Sequence, residues 1–131
     1  MKKTIVLIII LLFSSPKVFS QNDLEVTEMF FCRKIENTEP VGIDSIFLGT
    51  IRKVFCFSKI EGALDTTMIT HIWYYSSDEI AEIDLDIRSP SWRTWSSKNI
   101  MKGWTGNWRV DIYSKSGVLL KSKEFTILTT E

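Results

Sequence analysis

Two strand-like stretches in the second half of the chain carry most of the side chains that are suited to chemistry. Alternate side chains of a β-strand share a face, so the first stretch groups an imidazole with two aromatic rings: His71, Trp73 and Tyr75. The second groups a guanidinium, an indole and a hydroxyl: Arg93, Trp95 and Ser97. If the two strands face each other, cations lie beside aromatic rings, which is a favourable arrangement.

These stretches predict a candidate ligand-binding patch for a sugar, a peptide or another protein. Its members are His71, Arg93, Trp95, Ser97, Lys98 and Trp104. In the alternative interpretation Trp73 is buried and the polar groups brace the fold, because large aromatic residues of β-sandwiches usually lie in the core. Trp104 lies in a glycine-flanked loop, where it either anchors a ligand or closes the end of the sandwich. The sequence leaves both alternatives open.

Catalysis by His71, the single histidine, would require a neighbouring nucleophile and a group that orients the base. Cys56 is available, but no nucleophile elbow or oxyanion turn accompanies it. Glu82, Asp84 and Asp86 lie on one strand face, about 7 Å apart at each step, near the separation of an inverting glycosidase pair. Any solvated strand produces the same spacing, so we interpret these acids as a solvent-exposed face and predict no catalytic residues.

The composition argues against several other kinds of site and partner. One histidine and two cysteines cannot build a multi-Cys/His zinc site, and no aspartate-rich loop is typical of calcium, so we predict neither a metal nor a cofactor. Sixteen basic residues balance sixteen acidic residues, whereas a dedicated nucleic-acid binder carries a large basic excess. We therefore expect no nucleic-acid partner.

The N-terminus has the pattern of a secretory signal peptide. Lys2 and Lys3 precede a short apolar run, and Val18 and Ser20 occupy the small-residue positions of a cleavage site. This predicts a signal peptide over residues 1–20, a folded domain over residues 21–131, and a secreted or periplasmic location. The run is shorter than the roughly 20 residues of a spanning helix, so we expect no stable membrane insertion after cleavage. An uncleaved anchor is the alternative.

The remaining sequence has a hydrophobic period of two residues, which is typical of β-strands. About seven such stretches alternate with turn signals, and none has a helical stripe. In the last stretch we expect Leu119, Phe125 and Ile127 on one face. Gly117 follows a hairpin signal and should have a positive φ, whereas Pro40 should lie outside any central strand. The fold class predicted is all-β: a single-domain, antiparallel two-sheet sandwich of immunoglobulin-like type.

Four stretches together carry a resemblance to a known family. They are Asn37-Thr38-Glu39-Pro40, His71-Ile72-Trp73-Tyr74-Tyr75, Trp92-Arg93-Thr94-Trp95-Ser96-Ser97-Lys98, and Gly106-Asn107-Trp108-Arg109-Val110 with Gly117 behind it. In these stretches the chain resembles the bacterial family known as domain of unknown function 2914, over roughly Phe30 to Ile127. The resemblance implies a fold and an envelope location. It implies no activity and no catalytic residues.

Cys32 and Cys56, the only cysteines, lie in two of the strongest predicted strands. An oxidising compartment and an even count favour a disulfide, provided that the two Cα atoms lie within about 7 Å. The alternative is a pair of buried thiols that act as small hydrophobic residues. The register of the two strands decides between them, and the sequence does not specify it.

These observations predict a non-enzymatic, exported β-sandwich module with a binding or structural role in the bacterial envelope. Its partner would be an envelope protein, a peptide or a glycan. One alternative is a carbohydrate-binding module, which predicts at least two of three tryptophans on one open face: Trp92, Trp95 and Trp104. Another is a small envelope hydrolase, which predicts a cleft in which His71 lies beside a carboxylate or a cysteine.

Overall fold

The structure is a computed structural model that describes residues 24–130 of the chain. The predicted signal peptide and its cleavage point before Gln21 lie outside the described residues. The described part contains ten strands and no helix: β1 (Glu25–Cys32), β2 (Lys34–Glu36), β3 (Glu39–Val41), β4 (Ile46–Leu48), β5 (Lys53–Glu61), β6 (Thr67–Tyr75), β7 (Asp78–Ile87), β8 (Ser91–Asn99), β9 (Gly106–Ser114) and β10 (Leu119–Leu128). Accordingly, no membrane-spanning helix is found among these residues.

The strands form two main sheets and a small ribbon. One sheet has three strands in the order β1-β5-β8, the other has five in the order β4-β10-β9-β6-β7, and β2 pairs with β3. Every pairing is antiparallel except that of β4 with β10. The predicted all-β sandwich is therefore confirmed. The seven predicted strands correspond to the seven long ones, and the three additional strands have only three residues each.

Aromatic side chains fill the space between the two sheets. Phe125 is at its centre, with ring centroids 4.4 Å from Phe31, 5.6 Å from Trp108 and 6.2 Å from Trp73. Trp73 has no solvent exposure, which agrees with the alternative interpretation in which it is a core residue. The alternation of the sequence produces this core directly, because each strand turns every second side chain inward.

The prediction that Leu119, Phe125 and Ile127 share one face is wrong because β10 contains a bulge. Phe125 and Ile127 point into the core, but Leu119 is half-exposed, and Leu120 packs against the core instead. The pairing of β10 with β9 shifts register between Leu119 and Lys121. An extra residue in one strand reverses the parity of the side chains beyond it, and no hydrophobic pattern in the sequence reveals that insertion.

The turns agree with the residues that form them. Gly117 has φ of +92°, as predicted, and its N–H donates to the Ser114 carbonyl. Pro40 lies in the two-stranded ribbon, opposite Ile35 and outside the central strands, as expected. The loop of this ribbon holds two residues with positive φ, Asn37 and Thr38. A β-branched residue in this conformation is uncommon, so the ribbon ends in a strained turn.

The disulfide alternative is wrong, and both cysteines are free and buried. Strands β1 and β5 are neighbours, but Cys32 pairs with Phe55 and Cys56 pairs with Phe31. The two thiols are therefore offset by one residue and point to opposite faces of the sheet. Burial raises the pKa of both thiols, so both stay protonated.

Candidate functional site

His71 lies at the centre of a buried polar cluster between the two sheets. Its side chain, on β6, has no solvent exposure and contacts two hydroxyls of the opposite sheet. Nε2 lies 3.2 Å from Ser58 Oγ on β5, and Nδ1 lies 2.6 Å from Ser96 Oγ on β8. The indole Nε1–H of Trp73 donates to the same Ser96 oxygen at 3.0 Å. The cluster therefore joins three strands across the core.

The hydrogen bonds of this cluster assign one tautomer to the imidazole. Ser58 donates its hydroxyl proton to the Thr94 carbonyl at 3.4 Å, so it accepts from Nε2–H of His71. Ser96 already accepts from Trp73, so it donates to Nδ1. In the other tautomer the Ser96 proton has no acceptor among the described residues. The Nε2–H form thus gives every donor one acceptor, and no buried side-chain nitrogen or oxygen of residues 24–130 lacks a partner.

Burial keeps this imidazole neutral. Removal of the ring from water lowers the pKa of His71 to about 3, because the charged form loses its hydration. Protonation at Nδ1 would also make that atom a donor and leave the Ser96 proton without an acceptor. His71 is therefore a structural residue that cannot contact a ligand from solvent in this arrangement.

The two predicted sets of side chains do not face each other. Strand β8 turns Ser96 inward to His71, so its alternate residues Arg93, Trp95 and Ser97 share the outer face of the three-stranded sheet. There Trp95 lies opposite Phe57 in the register. The sequence predicts which residues of β8 share a face, but not which face meets the other sheet.

Arg93 makes its ion pair with the ribbon instead of with the aromatic residues of β6. Its guanidinium lies 3.6 Å from Glu39 of β3, and both side chains are exposed. Exposed pairs of this kind stabilise little, so we expect the contact to contribute little to the stability of the fold.

Trp104 closes one end of the sandwich. Its ring stacks on Tyr75 with centroids 5.4 Å apart, its carbonyl accepts from the Trp108 indole, and Lys98 Nζ lies 5.7 Å from its ring centroid. The ring is half-buried and packs against the core, which is the closing role of the two predicted for it. Trp92 also packs inward. The six predicted patch residues thus lie in three separate places.

The predicted acidic face is confirmed as an exposed face of β7. Asp84 accepts a hydrogen bond from the Thr70 hydroxyl at 2.7 Å, and Asp86 pairs with Arg88 at 2.9 Å. The described residues contain no group of three His, Cys, Asp or Glu side chains that could hold a metal ion.

An open cleft of about 600 Å³ lies at the same end of the sandwich as Trp104. Three segments that are distant in sequence form it: residues 49–52 before β5, residues 100–105 after β8, and residues 129–130 after β10. They meet because the start of β5 pairs with the end of β8, and because β4 and β10 run parallel and end together. Arg52 and Lys102 line this cleft, and they were absent from the predicted patch.

The sequence contains one signal for these two residues. Each cation lies within three residues of a glycine in a loop, and no acid neighbours either one. That signal is weak because charged loop residues are usually only solvated. The topology of the two sheets is needed to bring the loops together.

The comparison with known proteins agrees with the resemblance in the sequence. No curated protein matches the chain. The family described as "Protein of unknown function (DUF2914)" matches residues 66–127, which include three of the four stretches that carry the resemblance. The Asn37–Pro40 stretch lies before the match. Over residues 66–127 the chain is similar to the DUF2914 family, whose function is unknown.

Proposed function

We propose that the chain is an exported, non-catalytic β-sandwich module with a binding or structural role in the bacterial envelope. One observation carries the non-catalytic part of this proposal: the single histidine and both cysteines are buried in the fold. The residues best suited to nucleophilic or acid–base chemistry therefore serve the core. Contacts with a partner fall to the outer surfaces and the cleft.

Neither alternative function has a specific observation in its favour. A tryptophan-based glycan site needs at least two of Trp92, Trp95 and Trp104 on one open face, but only Trp95 lies on the outer face of its sheet. A hydrolase centred on His71 needs a cleft and a neighbouring carboxylate or thiol, but His71 lies between Ser58 and Ser96 in the core. The partner we propose is an envelope protein, a peptide or a glycan.

Export is tested by fractionation of a bacterial host that produces the full chain with a C-terminal tag. We expect the protein in the periplasmic or secreted fraction, with an N-terminus at Gln21. The matched control is Leu7→Arg with Ile9→Arg, which interrupts the apolar run and should keep the chain in the cytoplasm. An intact Met1 in the membrane fraction would indicate an anchor, and retention of the natural chain in the cytoplasm would contradict export.

The binding role is tested in two experiments. The exported protein is immobilised and exposed to envelope extract, and the same protein in solution is applied to a glycan array. We expect saturable retention of an envelope component that remains chemically unchanged. Hydrolysis of a retained peptide or glycan, abolished by His71→Gln in a variant that still folds, would contradict the non-catalytic assignment. Absence of any retained component would leave a purely structural role, which predicts loss of envelope integrity on deletion of the chain.

A further inference from the structure

We propose that the cleft beside Trp104 binds a ligand through an oxyanion, that is, a phosphate, sulfate or carboxylate group. The proposal rests on the binding role proposed above and names the chemical class of the ligand. The cleft presents two kinds of groups that anions require, cations and hydroxyls, on walls that the fold holds in place.

Within the described part of the chain, the charged residues that line the cleft are all basic. Arg52 and Lys102 line it, and neither forms a salt bridge with any residue of the range 24–130. Among residues 24–130, none of those that line it is acidic. Lys98 adds a third cation close by, over the ring of Trp104. A concave surface lined by positive charges focuses the electrostatic field and concentrates anions.

Four threonines supply hydroxyl groups to the same cleft: Thr50, Thr105, Thr129 and Thr130. Within the described part of the chain, none of these side-chain hydroxyls is hydrogen-bonded to another group of the protein. Each can therefore donate to a ligand oxygen without loss of an internal bond. This contrasts with Ser58 and Ser96, whose hydroxyls are fully used in the core.

The walls of the cleft are fixed by contacts that its lining residues make with one another and with the neighbouring strands. A side chain at Gly49 would place its Cβ 2.6 Å from the Leu128 carbonyl oxygen, so the loop before β5 presses directly on the end of β10. The Ile100 N–H donates to the Arg52 carbonyl at 2.9 Å. The Tyr75 hydroxyl donates to the Thr105 carbonyl at 2.7 Å. A site held in place before binding spends less free energy on ordering its loops.

The volume indicates that the ligand is larger than a bare anion. About 600 Å³ falls in the range of small-molecule sites, and Ile51 and Ile100 add apolar surface to the lining. A small organic molecule, or one unit of a polymer, that carries an oxyanion fits this combination. Inorganic phosphate is the simplest probe of the charged part.

The test is a titration of the ¹⁵N-labelled full chain with inorganic phosphate, at constant ionic strength adjusted with chloride. We expect saturable amide shifts confined to residues 49–52, 100–105 and 129–130. The double substitution Arg52→Gln with Lys102→Gln should weaken binding by about ten-fold or more. Thr105→Val, which keeps the shape and both charges, should weaken it by a smaller factor.

The matched control is Lys115→Gln with Lys121→Gln, which removes the same charge near the opposite end of the sandwich. We expect its affinity for phosphate to stay within about two-fold of the natural chain, because exposed charges at this distance are screened. Equal weakening in the two double variants, or shifts spread over all surface cations, would overturn the proposal. A lack of saturation would also overturn it.

Failure of the cleft proposal can be distinguished from failure of the proposed binding role. If phosphate does not bind but the natural chain and the Arg52→Gln, Lys102→Gln variant retain the same envelope component, the cleft proposal fails and the module still binds elsewhere. If phosphate binds as expected and no envelope component is retained, the cleft stands and the envelope role fails.

Discussion

The His71 cluster and the open cleft both consist of polar residues, but they differ in whether those residues have partners. Around His71, every donor meets one acceptor, and the cluster is closed to solvent. In the cleft, Arg52 and Lys102 have no ion-pair partner in the described part of the chain, and they lie on exposed loops. Both regions contain hydroxyl groups. Those beside His71 are hydrogen-bonded within the core, whereas those of the cleft have no hydrogen-bond partner within the described part of the chain.

Whether a polar residue has a complete set of partners separates structural from functional polar residues in the molecule. A buried polar group costs free energy unless the fold satisfies it, so a complete set of partners indicates that the group serves the fold. A loop cation held at the edge of a cleft costs the fold little and remains available to a ligand. The comparison predicts large stability effects in the first region and small ones in the second.

The largest effect is expected from Trp73→Ala. Trp73 is fully buried, contacts Phe125 edge-on and donates to Ser96, so its removal leaves a large cavity and an incomplete cluster. We expect a loss of about 3–5 kcal/mol in the free energy of unfolding, measured by urea denaturation. Trp95→Ala, on the outer face of the sheet, is the control and should cost less than half of this. Equal losses would show that the two faces of β8 are misassigned.

The next effect separates two adjacent serines of β8. Ser96→Ala leaves Nδ1 of His71 and Nε1–H of Trp73 without partners in the core, and we expect it to cost about 2–4 kcal/mol. Ser97→Ala removes the same hydroxyl from the opposite face and should change stability by less than about 0.5 kcal/mol. Urea denaturation of both variants measures the difference. Equal effects would contradict the role of Ser96 as the link between the two sheets.

A third prediction concerns acid. The pKa of His71 falls from 6.5 to about 3 on folding. Between these two pH values the unfolded chain is protonated at His71, whereas the folded chain is not. The stability from the neutral imidazole is fully present above pH 6.5 and is lost as the pH falls towards 3. Between neutral pH and pH 4.5 this loss is roughly 2–3 kcal/mol.

The acid prediction is checked by urea denaturation across that pH window. His71→Gln does not titrate, so in that variant this part of the pH dependence should disappear. Because the variant lacks part of the cluster, NMR of the natural protein provides an independent measurement. The His71 ring resonances should not titrate between pH 7 and pH 4.5, and a midpoint near 6 would contradict the buried, neutral state.

The smallest effect is expected in the cleft. Arg52→Gln with Lys102→Gln removes two charges that have no ion-pair partner in the described residues, so we expect a change of less than about 0.5 kcal/mol. The thermal midpoint of the natural and variant chains measures it. A large loss of stability would indicate that the cations brace the loops, and the contrast between the two regions would disappear.

Much of the fold follows from the sequence because a hydrophobic period of two residues specifies strands directly. The seven long strands and the inward position of Trp73 were predicted in this way. The strands β2, β3 and β4 were missed, since three residues are too few to show a period. The bulge near Leu119 was missed because only the pairing partner reveals an inserted residue.

The sites were predicted less well, since they depend on how strands face each other. Periodicity groups Arg93 with Trp95 and Ser97, but it does not state which side of β8 meets β6, and the structure turns Ser96 inward. Whether Cys32 and Cys56 can form a disulfide depends on the register of β1 and β5, which the sequence does not specify. Arg52 and Lys102 are separated by 49 other residues along the chain, so only the topology brings them into one cleft.

The offset between Cys32 and Cys56 has a consequence for the order of events during folding. A bond between them requires β1 to slip by one residue against β5, and such a slip moves every side chain of β1 to the wrong face. In an oxidising compartment, folding and oxidation therefore compete in time for the same two sulfurs. A chain that folds first shields both thiols, whereas a chain that oxidises first is held out of the native register until a reductant or an isomerase opens the bond.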